Sequence, residues 1–255
     1  MTPLLRTLPA LLVLGMLIVS STDLAAQVTL RPSLGLQTFS FIGNAPAADP
    51  LAPVGARNEP LGGGFEGGQP GARLQLEIST DKDAILRFPL SLEYFSFDGK
   101  TTFSVTSRSS GRPQRLTFTH TGNILTANLG VTAAFFEKQK IYVSGELKGV
   151  YFSESNLGSR QYYGDTDETL RETSATPSDG AFRIGAMARV GAQLPFFDPF
   201  LLDFSAGIGV VNMLLTETTP DPNTNLNLFV IDQTPGITES NLQYFTIGMS
   251  IIWQL

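Results

Sequence analysis

From Val28 onward the chain changes face with nearly every residue, apolar then polar, and it does so in eight separate stretches. Successive side chains of an extended strand point to opposite sides, so each stretch reads as a strand with one greasy and one wet face. The first, Val28 to Phe41, sets Val28, Leu30, Leu34 and Leu36 against Arg31, Ser33, Gly35 and Gln37. The second, about Ala72 to Thr80, sets Leu74, Leu76 and Ile78 against Arg73, Gln75, Glu77 and Ser79. The third starts near Ile85, with Leu86, Phe88, Leu90, Leu92 and Tyr94 on one side and Arg87, Ser91 and Glu93 on the other, and extends as a hairpin arm to about Thr106. Pro89 falls on its polar face, where a missing N–H weakens a ladder. The fourth carries Leu125, Ala127, Leu129, Val131, Ala133 and Phe135; the fifth Ile141, Val143, Leu147 and Tyr151; the sixth Phe182, Ile184, Val190 and Leu194; the seventh Phe200, Leu202, Phe204, Ile208 and Val210. The eighth closes the sequence with Phe245, Ile247, Met249, Ile251, Trp253 and Leu255 alternating with Thr246, Gly248, Ser250, Ile252 and Gln254.

The links between these stretches alternate in length. Asp81 to Asp83, Glu137 to Lys140 and Pro195 to Pro199 are short; Gly43 to Gly71, the tip at Ser109 to Gln114, Ser153 to Gly180 and Thr216 to Ser240 are long and polar. An outer-membrane barrel has this asymmetry, with short turns on the periplasmic side and long loops outside. About ten residues per strand, at roughly 3.3 Å each and a tilt near 45°, span about 23 Å, close to the apolar band of such barrels.

The polar face separates this reading from a packed soluble sheet. Arg31, Arg73, Glu77, Arg87, Glu93, Glu146, Lys148, Arg183, Arg189 and Asp203 all fall on it, while the apolar face is nearly free of charge over the same stretches. Inside a narrow lumen such groups must pair or bind trapped water, because an isolated buried charge costs several kcal/mol. A soluble sandwich would instead turn the same face to bulk water.

Arg6 and an apolar run from Leu8 to Val19, ending at Ala25 and Ala26, read as a secretory signal over residues 1–26, with residues 27–255 as one domain. The run is too short for a spanning helix. Zero cysteines exclude disulfides as the source of stability in an exported chain. A net charge of -6 with no basic run argues against nucleic-acid binding.

With this architecture the chain resembles the small eight-stranded outer-membrane β-barrels of the OmpA and OmpX type. The last strand is similar to that family's C-terminal insertion signal, with Phe245, Ile247, Met249, Ile251 and Trp253 in alternation but Leu255 where the family favours an aromatic residue. The resemblance implies a closed antiparallel up-and-down transmembrane barrel, export through the general secretory pathway, and periplasmic chaperones and the barrel-assembly machinery as partners during biogenesis. No peptidoglycan-binding domain follows the eighth strand, so a bare barrel is expected.

Candidate chemistry is sparse. His120 sits in Thr119-His120-Thr121-Gly122, with glycine where a lipid-cleaving barrel would carry a serine on the same face, and reads as an exposed rim histidine. The segment Gly62 to Gly68 lacks the strand-to-helix context and lysine of a phosphate loop and reads as surface loop. Asp165, Asp167, Glu168, Glu172 and Asp179 lack the spacing of a calcium loop; Glu217, Asp221, Asp232 and Glu239 add a second acidic, solvated stretch. No catalytic residue, cofactor or metal is expected. The sequence therefore predicts a non-enzymatic barrel with a side-chain-filled lumen, in a structural or surface-interaction role, with residues 43–71, 153–180 and 216–240 able to meet a surface partner. An accessory role in envelope biogenesis or secretion, a narrow pore, and a soluble periplasmic barrel for a small apolar ligand stand as alternatives.

Overall fold

The computed structural model describes residues 28–43, 63–80, 84–107, 110–135, 140–178, 180–214 and 241–254. The expected signal, the turns at Asp81 and Glu137, the loop 216–240 and Leu255 lie outside them. Among the described residues every regular element is a strand: β1 (Thr29–Ile42), β2 (Gln69–Ser79), β3 (Leu86–Thr106), β4 (Pro113–Phe135), β5 (Lys140–Phe152), β6 (Ser155–Tyr163), β7 (Thr169–Ser178), β8 (Ala181–Phe197), β9 (Phe200–Val210) and β10 (Gln243–Trp253).

Eight of these close on themselves. All pairings are antiparallel and run β3-β2-β1-β10-β9-β8-β5-β4, with β3 and β4 joining the two ends. The stagger can be followed around the ring. From Lys140 the register passes through Gln193, Asp203, Ser250, Gly35, Arg73, Glu93 and Thr126 and returns to β5 at Val150, ten residues further along. With a rise of about 3.3 Å per residue and strands about 4.8 Å apart, this inclines the strands by about 41° to the ring axis.

Pro89 is tolerated in β3 because its neighbour gives way. The β3–β4 register passes from Arg87↔Thr132 to Leu90↔Leu129, skipping Phe88 and Pro89. The residue facing this break is Gly130, whose missing Cβ would lie 3.2 Å from Pro89 Cγ and 2.7 Å from the Gly145 carbonyl oxygen. The lost ladder bonds fall where the opposite strand has no side chain in the way.

Two elements depart from expectation. Residues 153–180, expected as a long polar loop, form the hairpin β6–β7, and β6 pairs with the part of β4 that stands beyond the ring, Gln114 to Thr121. The result is a four-stranded projection at the long-hairpin end, in the order β3-β4-β6-β7. Its hairpin ends are tied together: Arg112 Nη2 meets Asp165 Oδ1 at 2.8 Å, and its guanidinium carbon lies 3.8 Å above the Tyr163 ring. β6 is largely half-buried and residues 169–174 of β7 are exposed, without the alternation that marks the other strands.

Candidate functional site

The ring is inside out relative to a water-soluble protein. Leu34 and Leu36 on β1, Leu74 on β2, Phe88, Leu90, Leu92 and Tyr94 on β3, Leu125, Leu129 and Val131 on β4, and Val143 and Leu147 on β5 are all exposed. Val190 on β8, Phe204 and Ile208 on β9, and Ile247, Met249, Ile251 and Trp253 on β10 complete the belt. From Leu125 to Phe135 along β4, ten residue steps at this tilt rise about 25 Å.

Aromatic residues mark both borders of the belt. Tyr94, Leu125, Tyr151 and Phe182 form one cross-strand row at the long-hairpin end. At the short-turn end Phe196, Phe197, Phe200 and Trp253 stand in sequence, with ring centroids 4.7, 5.0 and 6.1 Å apart.

The interior is charged and buried. Near the short turns, Arg31 Nη1 meets Glu77 Oε1 at 2.6 Å and Arg87 Nη1 reaches the same oxygen at 3.2 Å. The Gln193 side-chain oxygen accepts from both arginines, at 2.8 and 3.0 Å. One layer up, Glu146 Oε1 accepts from Arg73 Nη2 at 2.8 Å and Arg189 Nε at 3.2 Å; Glu93 takes Arg189 Nη2 at 3.0 Å and pairs with Lys148. Asp203 accepts hydroxyl bonds from Tyr142 and Ser250, at 3.1 and 3.3 Å. Arg183 lies at the long-hairpin end, half-buried, donating to the Phe182 carbonyl at 2.8 Å. Several buried polar atoms in this region make no hydrogen bond to protein, among them Arg73 Nε, Glu146 Oε2, Asp203 Oδ1 and Thr246 Oγ1. Dry, each would cost one to several kcal/mol, so bound water is favoured beside these atoms.

Above the charged layers the interior turns apolar, which the sequence reading missed. Phe39, Phe95, Phe97, Ile124, Phe152 and Tyr244 are buried in one cluster, Phe39 stacking on Tyr244 at 4.5 Å. The signal was present: Phe39, Phe95 and Phe97 continue the inner parity of Gln37 and Glu93. Ile252, placed on the wetter face of the last strand, is likewise an inward residue, 2% exposed.

Two expectations are corrected here. His120 is no rim residue but fully buried, because Ile124, Gly122 and His120 share the inward parity of β4 and Gly63 and Phe65 pack against the imidazole. Burial pushes its imidazole pKa down, and a hydrogen bond to the Gly63 carbonyl offsets part of the shift. Residues 63–68, expected as surface loop, fold back so that Phe65 is 1% exposed inside the ring, against Phe97 and His120. Among the described residues no group of three or more His, Cys, Asp or Glu could hold a metal ion.

No protein-family profile matches the chain, and no curated protein matches its sequence. Among solved structures it is similar to Neisserial surface protein A, 9% identical over 90% of this chain and 97% of that one, with a TM-score of 0.39. A major outer membrane protein from Thermus thermophilus is 10% identical over 89% and 99%, with a TM-score of 0.43. The outer membrane protease OmpT from Escherichia coli is 8% identical over 92% and 99%, at 0.39. Likenesses this distant identify neither an activity nor a partner.

Proposed function

We propose that the ring is a transmembrane β-barrel of an outer membrane, non-enzymatic, acting as a structural membrane protein that presents the β3-β4-β6-β7 projection to the outside. One observation carries the reading: an uninterrupted apolar belt surrounds a closed ring whose charges are inside. Soluble monomers rarely expose contiguous apolar patches beyond a few hundred Å². A second protein layer would have to encircle all eight strands, whereas hydrocarbon tails do so without any specific fit. The belt height of about 25 Å, the aromatic borders and the strand tilt match what a bilayer asks of such a barrel.

The short turns face the periplasm in this reading, and export, chaperoning and insertion by the barrel-assembly machinery follow from the location. The filled interior, with paired charges below and aromatic rings above, supports a lumen closed to ions. The projection supports contact with a surface partner through residues 153–180.

Fractionation and gel mobility test the proposal together. The mature chain is expected in the outer-membrane fraction, extracted only by detergent, and faster on a detergent gel before boiling than after. Release by osmotic shock without detergent would overturn it in favour of a soluble periplasmic protein.

A further inference from the structure

The last residues of the β1–β2 connection, 63–68, form a strap that enters the mouth of the ring. The imidazole Nδ1 of His120 lies 3.0 Å from the Gly63 carbonyl oxygen, and the Phe65 ring lies 4.6 Å from His120 and edge-on to Phe97 at 5.3 Å. Gly64 and Gly67 have φ of +69° and +72°, which side-chain-bearing residues seldom adopt, and between them the Glu66 N–H donates to the Gly64 carbonyl at 3.0 Å. Gln69 anchors the far end, donating to the Glu66 carbonyl and accepting from the Asp98 N–H, both at 3.1 Å. Where the strap crosses β3 the residue beneath is Gly99; a Cβ there would lie 2.8 Å from the Gly63 carbonyl oxygen and from the Gly64 carbonyl group. A simple β1–β2 hairpin needs none of this, since two to five residues would join the strands.

Beneath the strap lies a single apolar layer, and below that a charged interior whose unpartnered atoms call for water. Among the described aromatic residues of that layer, Phe65 alone comes from a connection; Phe39, Phe95, Phe97, Phe152 and Tyr244 sit on ring strands. The layer is therefore built partly from the wall and partly from a removable piece.

We propose that residues 63–68 are a gate. Seated, Phe65 completes the dry layer that separates interior water from the medium at the long-hairpin end; unseated, it leaves that layer open and the interior water continuous with the outside. The membrane reading enters only in calling that medium the outside, since the seal is a property of the ring itself.

Hydroxyl-radical footprinting of the folded protein in detergent micelles tests this, because bound water oxidises buried side chains beside it. In the wild type Tyr142, next to Asp203 in the charged layer, is expected to be oxidised, while Phe39 and Phe95 stay protected. Gly99→Ala, which puts a methyl group into the strap's path, and Phe65→Ser, which removes the plug, should each expose Phe39 and Phe95 without changing Tyr142. Retained heat-shifted gel mobility shows that a variant is folded; if Gly99→Ala does not fold, Phe65→Ser decides. Protection of Tyr142 in the wild type, or of Phe39 and Phe95 in a folded variant, would overturn the gate. A wrong membrane assignment would show up separately, as failure to enter liposomes while the micelle footprint still reports the seal.

Discussion

Arg31 and Glu77 face each other across the β1–β2 ladder as register partners, both fully buried, with Nη1 and Oε1 2.6 Å apart. The pair is not isolated, because Arg87 uses the same carboxylate oxygen at 3.2 Å. Glu77→Gln should therefore strand two guanidinium groups at once and lower stability by about 3 to 5 kcal/mol. Urea unfolding of the refolded protein in lipid measures this; an unchanged midpoint would show that neither arginine depends on Glu77.

Ile251 and Ile252 are neighbours with opposite environments, 46% and 2% exposed. Ile251→Arg puts a charge on the belt two residues inside its Trp253 border, at a cost between the roughly 2 to 4 kcal/mol of mid-membrane and the about 0 to 1 kcal/mol of the interface. Membrane yield of the variant should fall, and a normal yield would refute a lipid-facing position for residue 251.

Two glycines one register step apart predict opposite tolerance. A Cβ at Gly130 would sit 2.7 Å from the Gly145 carbonyl oxygen and 3.0 Å from Glu146 Cγ, whereas at Gly145 it would meet nothing within 4 Å. Gly130→Ala should cost about 1 to 3 kcal/mol through overpacking. Gly145→Ala should be neutral or slightly stabilising, as removing backbone freedom from the unfolded chain favours the fold. Comparing the two unfolding curves checks both.

Acid should loosen the strap. His120 is buried against Phe65, with Leu157 its register partner on β6; Asp98 and Lys100 flank Gly99 on the opposite face of β3, and Glu66 is exposed. Because burial lowers its folded pKa, the unfolded chain binds a proton more readily than the folded one. The stability due to the neutral ring is then fully present above the ordinary histidine pKa, about 6.5, and is lost as pH falls below it. The hydrogen-exchange protection factors of residues 63–68, with the intrinsic pH dependence of exchange divided out, should fall between neutral and mildly acidic pH in the wild type and lose that dependence in His120→Gln. An equal fall in both proteins would rule out the imidazole as the cause.

Much of the ring was legible because a strand carries its environment in its parity. Arg31, Ser33 and Gln37 point inward while Leu34 and Leu36 point outward, and that follows from counting by twos. The strands, the short turn at Pro195 to Pro199 and the inward position of nearly all the charges needed no more than this. His120 and Phe95 carry the same inward parity, beyond the belt.

The rest depended on distances that parity does not contain. Which carboxylate serves which arginine is set by the ten-residue stagger of the closed ring, which brings Glu146 to both Arg73 and Arg189 from separate strands. The β6–β7 hairpin has no alternation of buried and exposed positions, so no hydrophobic period announces it. The strap has no period at all: its glycines permit many paths, and only the packed rings of Phe97 and His120, and the missing side chain of Gly99, select the one that closes the mouth. Local alternation fixes which side a residue faces, and closure of the ring decides what it finds there.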